Sequence, residues 1–128
     1  LMLSTDTFLN QYVRASSGDE LSGLKFVVCG AERVRDETRQ AVRRRFGVEL
    51  LEGYGATEAS PVIALNQPGR NRPGTVGRPL PGVECRYEPQ PGISEGGRLF
   101  VRGPNVMKGY LSGETPGQLI LPDGGWHD

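Results

Sequence analysis

Cysteine is scarce in this sequence, which excludes the classes of small protein that depend on it. The chain of 128 residues has 2 cysteines, Cys29 and Cys85. They are too few and too far apart in sequence to predict a metal site, and a disulfide framework would need more of them. We therefore expect reduced thiols and a cytosolic compartment.

Net charge and long apolar runs are lacking as well. The 15 basic and 15 acidic residues give a formal net charge of +0, so no broad basic field favours nucleic acid or an anionic membrane surface as a partner. No segment approaches the roughly 20 apolar residues that span a bilayer, and the first residues lack the basic-then-apolar pattern of a signal peptide. These absences predict a soluble segment, and its abrupt start leads us to expect a longer parent protein.

Glycine and proline, in contrast, are abundant. The sequence has 19 glycines and 10 prolines, and most of them follow residue 52, which predicts a turn-rich second half with short strands. The polar loop at residues 66–74 contains Pro-Gly turn signals. We place a subdomain boundary there, between residues 1–66 and residues 67–128.

The opening residues predict a helix. Apolar side chains recur at helical spacing from Phe8 to Val13. Asp6 or Thr7 is the candidate cap.

A strand, a helix and a second strand are predicted next. Residues 25–29 and 48–51 are short apolar runs typical of buried strands, and residues 36–46 have helical spacing. Asp36 is the candidate cap of this helix and Gly47 its stop. Together they form the βαβ unit of a parallel sheet. The carboxyl ends of both strands then lie at one sheet edge, where ligands bind in open parallel sheets.

Small and polar residues follow both predicted strands. Three of them come directly after the first strand: Gly30, Ala31 and Glu32. The small side chains would let another molecule approach the backbone closely, although an ordinary turn between strand and helix is the alternative. A polar loop at residues 52–58 follows the second strand, and Gly53 and Gly55 would let it turn sharply around a tyrosine.

This loop carries groups suited to a nucleotide. Tyr54 could stack on a base, Thr57 could donate to a phosphate oxygen, and Glu58 could hold a magnesium ion that bridges phosphates. The alternative is a strand-end turn with a half-buried tyrosine, since short glycine-rich loops are common.

The second half predicts a small antiparallel sheet or barrel. Residues 83–87 alternate in polarity, and residues 98–103 form a further strand-like run after a glycine-rich turn. The residues that follow are expected to be loop and turn. The terminal His127-Asp128 pair is not taken as catalytic, because no nucleophile is fixed beside it.

Four segments, taken in order, resemble the adenylate-forming acyl-CoA synthetase superfamily, and the likeness extends over nearly the whole chain. The segments are residues 30–32, 54–58, 74–82 and 97–110. Three further phrases are most similar to the synthetase half of the bacterial bifunctional 2-acylglycerophosphoethanolamine acyltransferase/acyl-acyl carrier protein synthetases. These phrases are residues 51–55, 91–99 and 103–111.

The resemblance implies an α/β fold and a division of the chain. Residues 1–66 would be the end of an α/β nucleotide-binding subdomain, with the βαβ portion of a parallel sheet. Residues 67–128 would be part of a small antiparallel, barrel-like β subdomain.

The resemblance also implies roles for the matching residues. One face of adenine would lie against Gly30, Ala31 and Glu32, and Tyr54 would stack on the other face. Thr57 would contact the α-phosphate and Glu58 would bind Mg²⁺. The implied ATP/AMP-binding set is Gly30, Ala31, Glu32, Gly53, Tyr54, Gly55 and Thr57, and the implied catalytic pair is Thr57 and Glu58.

The implied reaction joins a fatty acid to AMP and then passes the acyl group to a thiol. The thiol would be the phosphopantetheine arm of acyl carrier protein, or coenzyme A in a sister enzyme. A lysophospholipid would be a further substrate of the parent, which would recycle phospholipid acyl chains at the cytoplasmic face of the bacterial inner membrane.

Several parts of the superfamily pattern are absent from this sequence. It has no Ser/Thr/Gly-rich phosphate loop with a lysine and no carboxyl-terminal domain with the catalytic lysine. In the superfamily, Thr-Gly-Asp follows a position like residues 126–128, and this sequence stops just short of it, so Asp128 is not taken as the ribose-binding aspartate. We therefore expect a middle piece of an enzyme that is inactive alone. The alternatives are a piece of a long-chain fatty acyl-CoA ligase and a turn-rich interaction module without enzymatic activity.

Overall fold

The structure, a computed structural model, describes residues 1–17, 19–121 and 123–127. Its helices and strands are β1 (Met2–Ser4), α1 (Asp6–Ala15), β2 (Phe26–Cys29), α2 (Asp36–Phe46), β3 (Glu49–Gly55), β4 (Val62–Leu65), β5 (Arg78–Pro79), β6 (Glu84–Glu88), β7 (Arg98–Arg102), β8 (Tyr110–Leu111) and β9 (Leu119–Ile120). Short 3-10 turns lie at Thr57–Ala59 and Asp123–Gly125. Among the described residues, no helix has the length and apolar character needed to cross a bilayer.

The first five strands form one sheet in the order β1-β2-β3-β4-β5. β2 pairs in parallel with β1 and with β3, so that Val27 lies opposite Met2 on one side and Leu50 on the other. With α2 between them in sequence, β2 and β3 are the predicted βαβ unit. Their carboxyl ends therefore lie at the same edge of the sheet.

The remaining strands form two antiparallel pairs. β6 pairs with β7, with Arg86 opposite Phe100, and β8 pairs with β9, with Tyr110 opposite Ile120. Within the described ranges these pairs are separate two-stranded sheets, and no closed barrel is formed. The predicted mixed α/β fold with parallel and antiparallel parts is thus confirmed.

A small core lies between the parallel sheet and its two helices. Val27 and Leu50 point from the sheet toward Leu9 of α1 and Val42 of α2, and all of these side chains are buried. Burial of each such side chain contributes about 1.5–3 kcal/mol. The core fixes the helices against β2 and β3, and so fixes the strand ends that carry the candidate site.

The helix caps differ from those predicted. Thr5 caps α1 by accepting a hydrogen bond from the Phe8 N–H at 3.5 Å, rather than Asp6 or Thr7. Arg35 occupies the cap position of α2 without a side-chain cap, whereas Gly47 ends that helix with φ 67° as predicted. Asp6 is used differently, since its carboxylate accepts from the Arg35 backbone N–H at 3.1 Å and pairs with the Arg35 guanidinium at 2.6 Å.

β3 is longer than predicted. The sequence placed Glu52 in a loop, but it lies within the strand and is 7% exposed. Its Oε2 atom pairs with Arg39 at 3.1 Å and accepts from the Gly74 N–H at 2.8 Å. Because these partners satisfy the carboxylate, the acid can be buried and the strand continues to Gly55.

Both cysteines are free in the structure. Cys29 is buried, and burial raises the pKa of its thiol to about 12. Cys85 is exposed on β6.

The internal packing divides the chain into two compact units. The first unit comprises Leu1–Gly55 with Ala64–Arg78, and the second comprises Ala56–Ile63 with Pro79–Asp128. The functional subdomains at residues 1–66 and 67–128 stay a prediction.

We predict that Asp6→Asn destabilises the protein by about 2 kcal/mol at pH 7, because it leaves the buried groups around the carboxylate poorly paired. Burial alone would raise the pKa of Asp6, but hydrogen bonds from Thr38 and Arg35 outweigh it and hold the pKa below the ordinary value of 3.8. The carboxylate therefore stabilises the folded state above that value, and this contribution is lost as the pH falls through the folded-state pKa. Denaturant unfolding at several pH values measures the difference.

Asp36→Asn is the matched control, because the Asp36 side chain is 87% exposed and its nearest Arg39 nitrogen is 3.7 Å away. It should change the unfolding free energy by about 0.5 kcal/mol or less. Equal effects of the two variants at pH 7 would contradict the prediction.

Candidate functional site

Gly30 and Gly53 are neighbours at the carboxyl ends of β2 and β3. A Cβ atom added to Gly30 would lie 3.7 Å from the Gly53 carbonyl oxygen. Gly30 donates its N–H to the Ser4 carbonyl at 3.2 Å, and Ala31 adopts a left-handed conformation with φ 65°. The sheet edge thus brings the two predicted glycine positions together.

The carboxylate of Glu32 holds the first turn of α1. Its Oε2 atom accepts from the Thr7 hydroxyl at 2.9 Å and from the Thr7 N–H at 3.0 Å. These hydrogen bonds lower the pKa of Glu32. An acid at a helix N-terminus is favourable for the helix dipole as well, so the carboxylate has a structural role and its predicted contact with a ligand stays a prediction.

Gly53 is required for a different reason from the one predicted. Neither Gly53 nor Gly55 has a positive φ, so the chain does not turn around Tyr54 but remains extended. A Cβ atom at Gly53 would lie 3.0 Å from Leu65 Cδ1 and 3.3 Å from the Ala64 carbonyl oxygen. The glycine therefore lets β4 pack closely against β3.

Tyr54 is a partly uncovered aromatic residue at the end of β3. The residue is 44% exposed. Its position on a hydrogen-bonded strand fixes the backbone from which the ring projects. Such a ring can stack on a planar base without a large loss of conformational entropy, since the tyrosine side chain has few rotatable bonds.

Thr57 and Glu58 lie in the second unit, on the short 3-10 turn Thr57–Ala59. The turn is closed on both sides, since the Ala56 N–H donates to the Pro61 carbonyl at 2.8 Å and Ser60 is left-handed with φ 54°. Thr57 is exposed on this turn. Its hydroxyl can therefore donate a hydrogen bond to a ligand.

The carboxylate of Glu58 is held from a distant part of the sequence. Its Oε1 atom accepts a hydrogen bond from the Tyr110 hydroxyl, and its backbone carbonyl accepts from the Met107 N–H at 2.7 Å. The bond from Tyr110 is the largest of the causes that lower the pKa of Glu58 and raise that of Tyr110. Glu58 is therefore ionised at neutral pH, the state that a magnesium ligand requires.

The structure does not offer a metal cage made by protein side chains alone. Within the described ranges, no group of three or more His, Cys, Asp or Glu side chains could hold an ion. Magnesium is commonly held by one or two carboxylates together with substrate phosphates, so Glu58 fits an ion that arrives with a nucleotide.

His127 has a backbone role in the structure. It forms an isolated β-bridge with Val101, in which the Val101 N–H donates to the His127 carbonyl at 2.7 Å and the reverse bond measures 3.0 Å. Asp128, its partner in the sequence, lies outside the described residues.

Tyr110 is the residue that sequence reasoning missed. It was quoted within a motif but given no role, because nothing local in the sequence indicates a contact with Glu58, 52 residues away.

Comparison with known proteins agrees with these features. The family model for AMP-binding enzymes matches residues 1–111. The long-chain-fatty-acid–CoA ligase of Bacillus subtilis (strain 168) is 36% identical over 111 residues, which are 82% of this chain and 20% of that protein. The chain thus spans about a fifth of the length of this relative.

Solved structures give the same result. A long-chain-fatty-acid-CoA ligase from Archaeoglobus fulgidus superposes with a TM-score of 0.72 and 25% identity, over 88% of this chain and 26% of the other. O-succinylbenzoate coenzyme A synthetase from Bacillus subtilis, in complex with ATP and magnesium ion, gives 0.67 and 26% over 85% of this chain and 24% of the other. With residues 1–111 matched, the chain belongs to the AMP-binding enzyme family of the acyl-CoA ligase superfamily.

Proposed function

We propose that this chain is part of an ATP-dependent, AMP-forming ligase that joins a long-chain fatty acid to coenzyme A. The observation that carries the proposal is the Glu58 carboxylate, which Tyr110 holds on its turn 4 residues after the exposed Tyr54 ring. The relative from Bacillus subtilis (strain 168), named a long-chain-fatty-acid–CoA ligase, supports the choice of acid and thiol.

The residues present fit an adenine nucleotide. In the first unit, Gly30 and Ala31 carry little or no side chain beside which a flat ring can lie, and Tyr54 offers an aromatic face. In the second unit, Thr57 can donate its hydroxyl to the α-phosphate. Binding that orients the α-phosphorus toward an attacking carboxylate would raise the rate of adenylation.

Glu58 fits a magnesium ion on the phosphates. The hydrogen bond from Tyr110 occupies Oε1 of its carboxylate and leaves Oε2 outside that bond. Bound magnesium would neutralise part of the phosphate charge that develops during adenylation. Glu58 would hold the ion, and Thr57 would stabilise the same charge by hydrogen bonding.

The second candidate is a fatty acyl–acyl carrier protein synthetase joined to a 2-acylglycerophosphoethanolamine acyltransferase. The likeness of residues 91–99 and 103–111 to that enzyme favours it. Acyl carrier protein and a lysophospholipid would then be partners of the parent, which we would place on the cytoplasmic face of the bacterial inner membrane. Both candidates share the adenylation step, so they differ only in the acceptor.

We predict that Glu58→Ala in the full-length enzyme lowers acyl-adenylate formation by about 100-fold, because the ion on the phosphates loses a ligand. Pyrophosphate release with ATP, magnesium and a long-chain fatty acid measures the rate. Glu95→Ala removes an exposed acid from a turn and is the matched control, which should retain the wild-type rate. A fully active Glu58→Ala enzyme would refute the assignment of the metal ligand.

We predict that Tyr54→Ala raises the KM for ATP by about 10-fold or more, since stacking on a base is worth about 1–3 kcal/mol. Tyr54→Phe keeps the aromatic face and should stay within about threefold of wild type. Initial rates at varied ATP measure both. If the KM of Tyr54→Ala equals that of wild type, the ring does not bind the base.

We predict that the full-length enzyme transfers its acyl group to coenzyme A at least about 10-fold faster than to holo-acyl carrier protein, a difference of about 1.4 kcal/mol. Thioester formation with each acceptor at equal concentration measures this, and the 128-residue chain alone should form neither thioester nor adenylate. Preference for acyl carrier protein, followed by transfer to a lysophospholipid, would favour the second candidate. If the full-length protein adenylates no carboxylate, an interaction module without enzymatic activity becomes the better explanation.

A further inference from the structure

We propose that Tyr110 is a positioning residue for magnesium binding, whose phenol holds the Glu58 carboxylate in the orientation in which it meets an ion on the nucleotide phosphates. The inference rests on the proposed function and deepens it. It makes magnesium binding by Glu58 depend on Tyr110, which lies 52 positions away in the sequence. Tyr110 does not touch the nucleotide or the ion in this proposal.

The first support is that Tyr110 belongs to a segment that binds the 3-10 turn at Glu58 and Ala59. We call residues 105–110 the clamp segment. Asn105 donates through Nδ2 to the carbonyls of Ala59 at 2.6 Å and Val62 at 2.8 Å. Met107 donates its N–H to the Glu58 carbonyl at 2.7 Å. The clamp segment therefore holds the backbone at Glu58 and on its C-terminal side, and Tyr110 of the same segment binds the side chain.

The second support is that the backbone beneath Tyr110 is itself fixed. Tyr110 is the first residue of β8 and lies opposite Ile120 of β9. Gly109 precedes it with φ 156°, and a Cβ atom there would overlap the Ile120 carbonyl oxygen. The phenol is thus presented from a strand end whose approach to β9 only glycine permits, rather than from a free loop.

The third support is the chemistry of the carboxylate. Magnesium requires near-octahedral geometry with oxygen ligands at about 2.0–2.1 Å, so a carboxylate that rotates freely is a poor ligand. Tyr110 occupies Oε1 only, which restricts rotation of the carboxylate while Oε2 stays outside the bond. Partners of this kind, bound to a metal ligand and not to the metal, typically change metal affinity or activity by about 10–100-fold.

The chain offers a matched control in Tyr87. Tyr87 is 55% exposed and Tyr110 is 57% exposed, and both lie on strands of the second unit. In the part of the chain that the structure describes, the Tyr87 hydroxyl has no hydrogen-bond partner. Tyr87→Phe therefore removes a phenol of similar exposure without removing a contact to Glu58.

The experiment compares Tyr110→Phe, Tyr87→Phe and wild type in the full-length enzyme. Pyrophosphate release is measured at saturating ATP and fatty acid over a range of magnesium concentrations. We expect Tyr110→Phe to need about 10-fold more magnesium for half-maximal rate, with kcat at saturating magnesium within about twofold of wild type. Tyr87→Phe should match wild type in both quantities.

A second measurement uses the enzyme without metal or nucleotide. Hydrogen–deuterium exchange of peptides that cover residues 56–63 should be severalfold faster in Tyr110→Phe than in wild type and unchanged in Tyr87→Phe. This readout reports whether the phenol orders the turn, independently of catalysis.

The two proposals fail in different ways. An active wild-type enzyme whose magnesium dependence is the same in Tyr110→Phe would overturn the inference alone, whatever the exchange result. A loss of kcat at every magnesium concentration, with unchanged half-saturation, would also overturn it, because that pattern indicates a general structural defect. If wild type forms no adenylate at any magnesium concentration, the proposed function fails and the inference fails with it.

Discussion

The parallel hydrogen bonding between β2 and β3 is the constraint on which the first part of the candidate site depends. Cys29, the last residue of β2, is paired with Glu52, and this register carries Gly30 and Gly53 to neighbouring positions at the sheet edge. A shift by a single residue would turn Leu50 out of the core and move Tyr54 to the other face of the sheet. The apolar core and the sheet edge proposed to bind the nucleotide are therefore set by the same pairing.

The length of each element decides how well the sequence predicts it. The βαβ unit was predictable, because β2, α2 and β3 each contain enough residues to show a strand or helix period. The strands β1, β8 and β9 were not predicted, since segments of two or three residues show no period and exist only through pairing with a partner. Both helices have their N-cap a residue or more before the predicted one. At α1, Asp6 does not cap the helix because its carboxylate binds Arg35 from elsewhere in the chain.

Residue type predicts what chemistry a candidate residue can perform, but it does not predict which residues that side chain contacts. Residue type alone suggested an aromatic platform at Tyr54 and an acid for magnesium at Glu58, and those ligand roles stay predictions. Glu52 was placed in a loop because an acid normally marks solvent, and its partner Arg39, which is only partly buried, is 13 residues away. The role of Tyr110 and the steric need for Gly53 could not be predicted for the same reason. Each depends on a neighbour that is distant in sequence and close only in the folded chain.

The contact between Met107 and Glu58 has a consequence for how the family can diverge. Met107 reaches the Glu58 carbonyl through its peptide nitrogen, so the bond does not depend on which side chain occupies the position. Every amino acid except proline carries that donor. Related enzymes could therefore carry other side chains at this position and still hold the turn that bears Glu58 in the same way. A position whose residue type varies in sequence can still be needed by the structure.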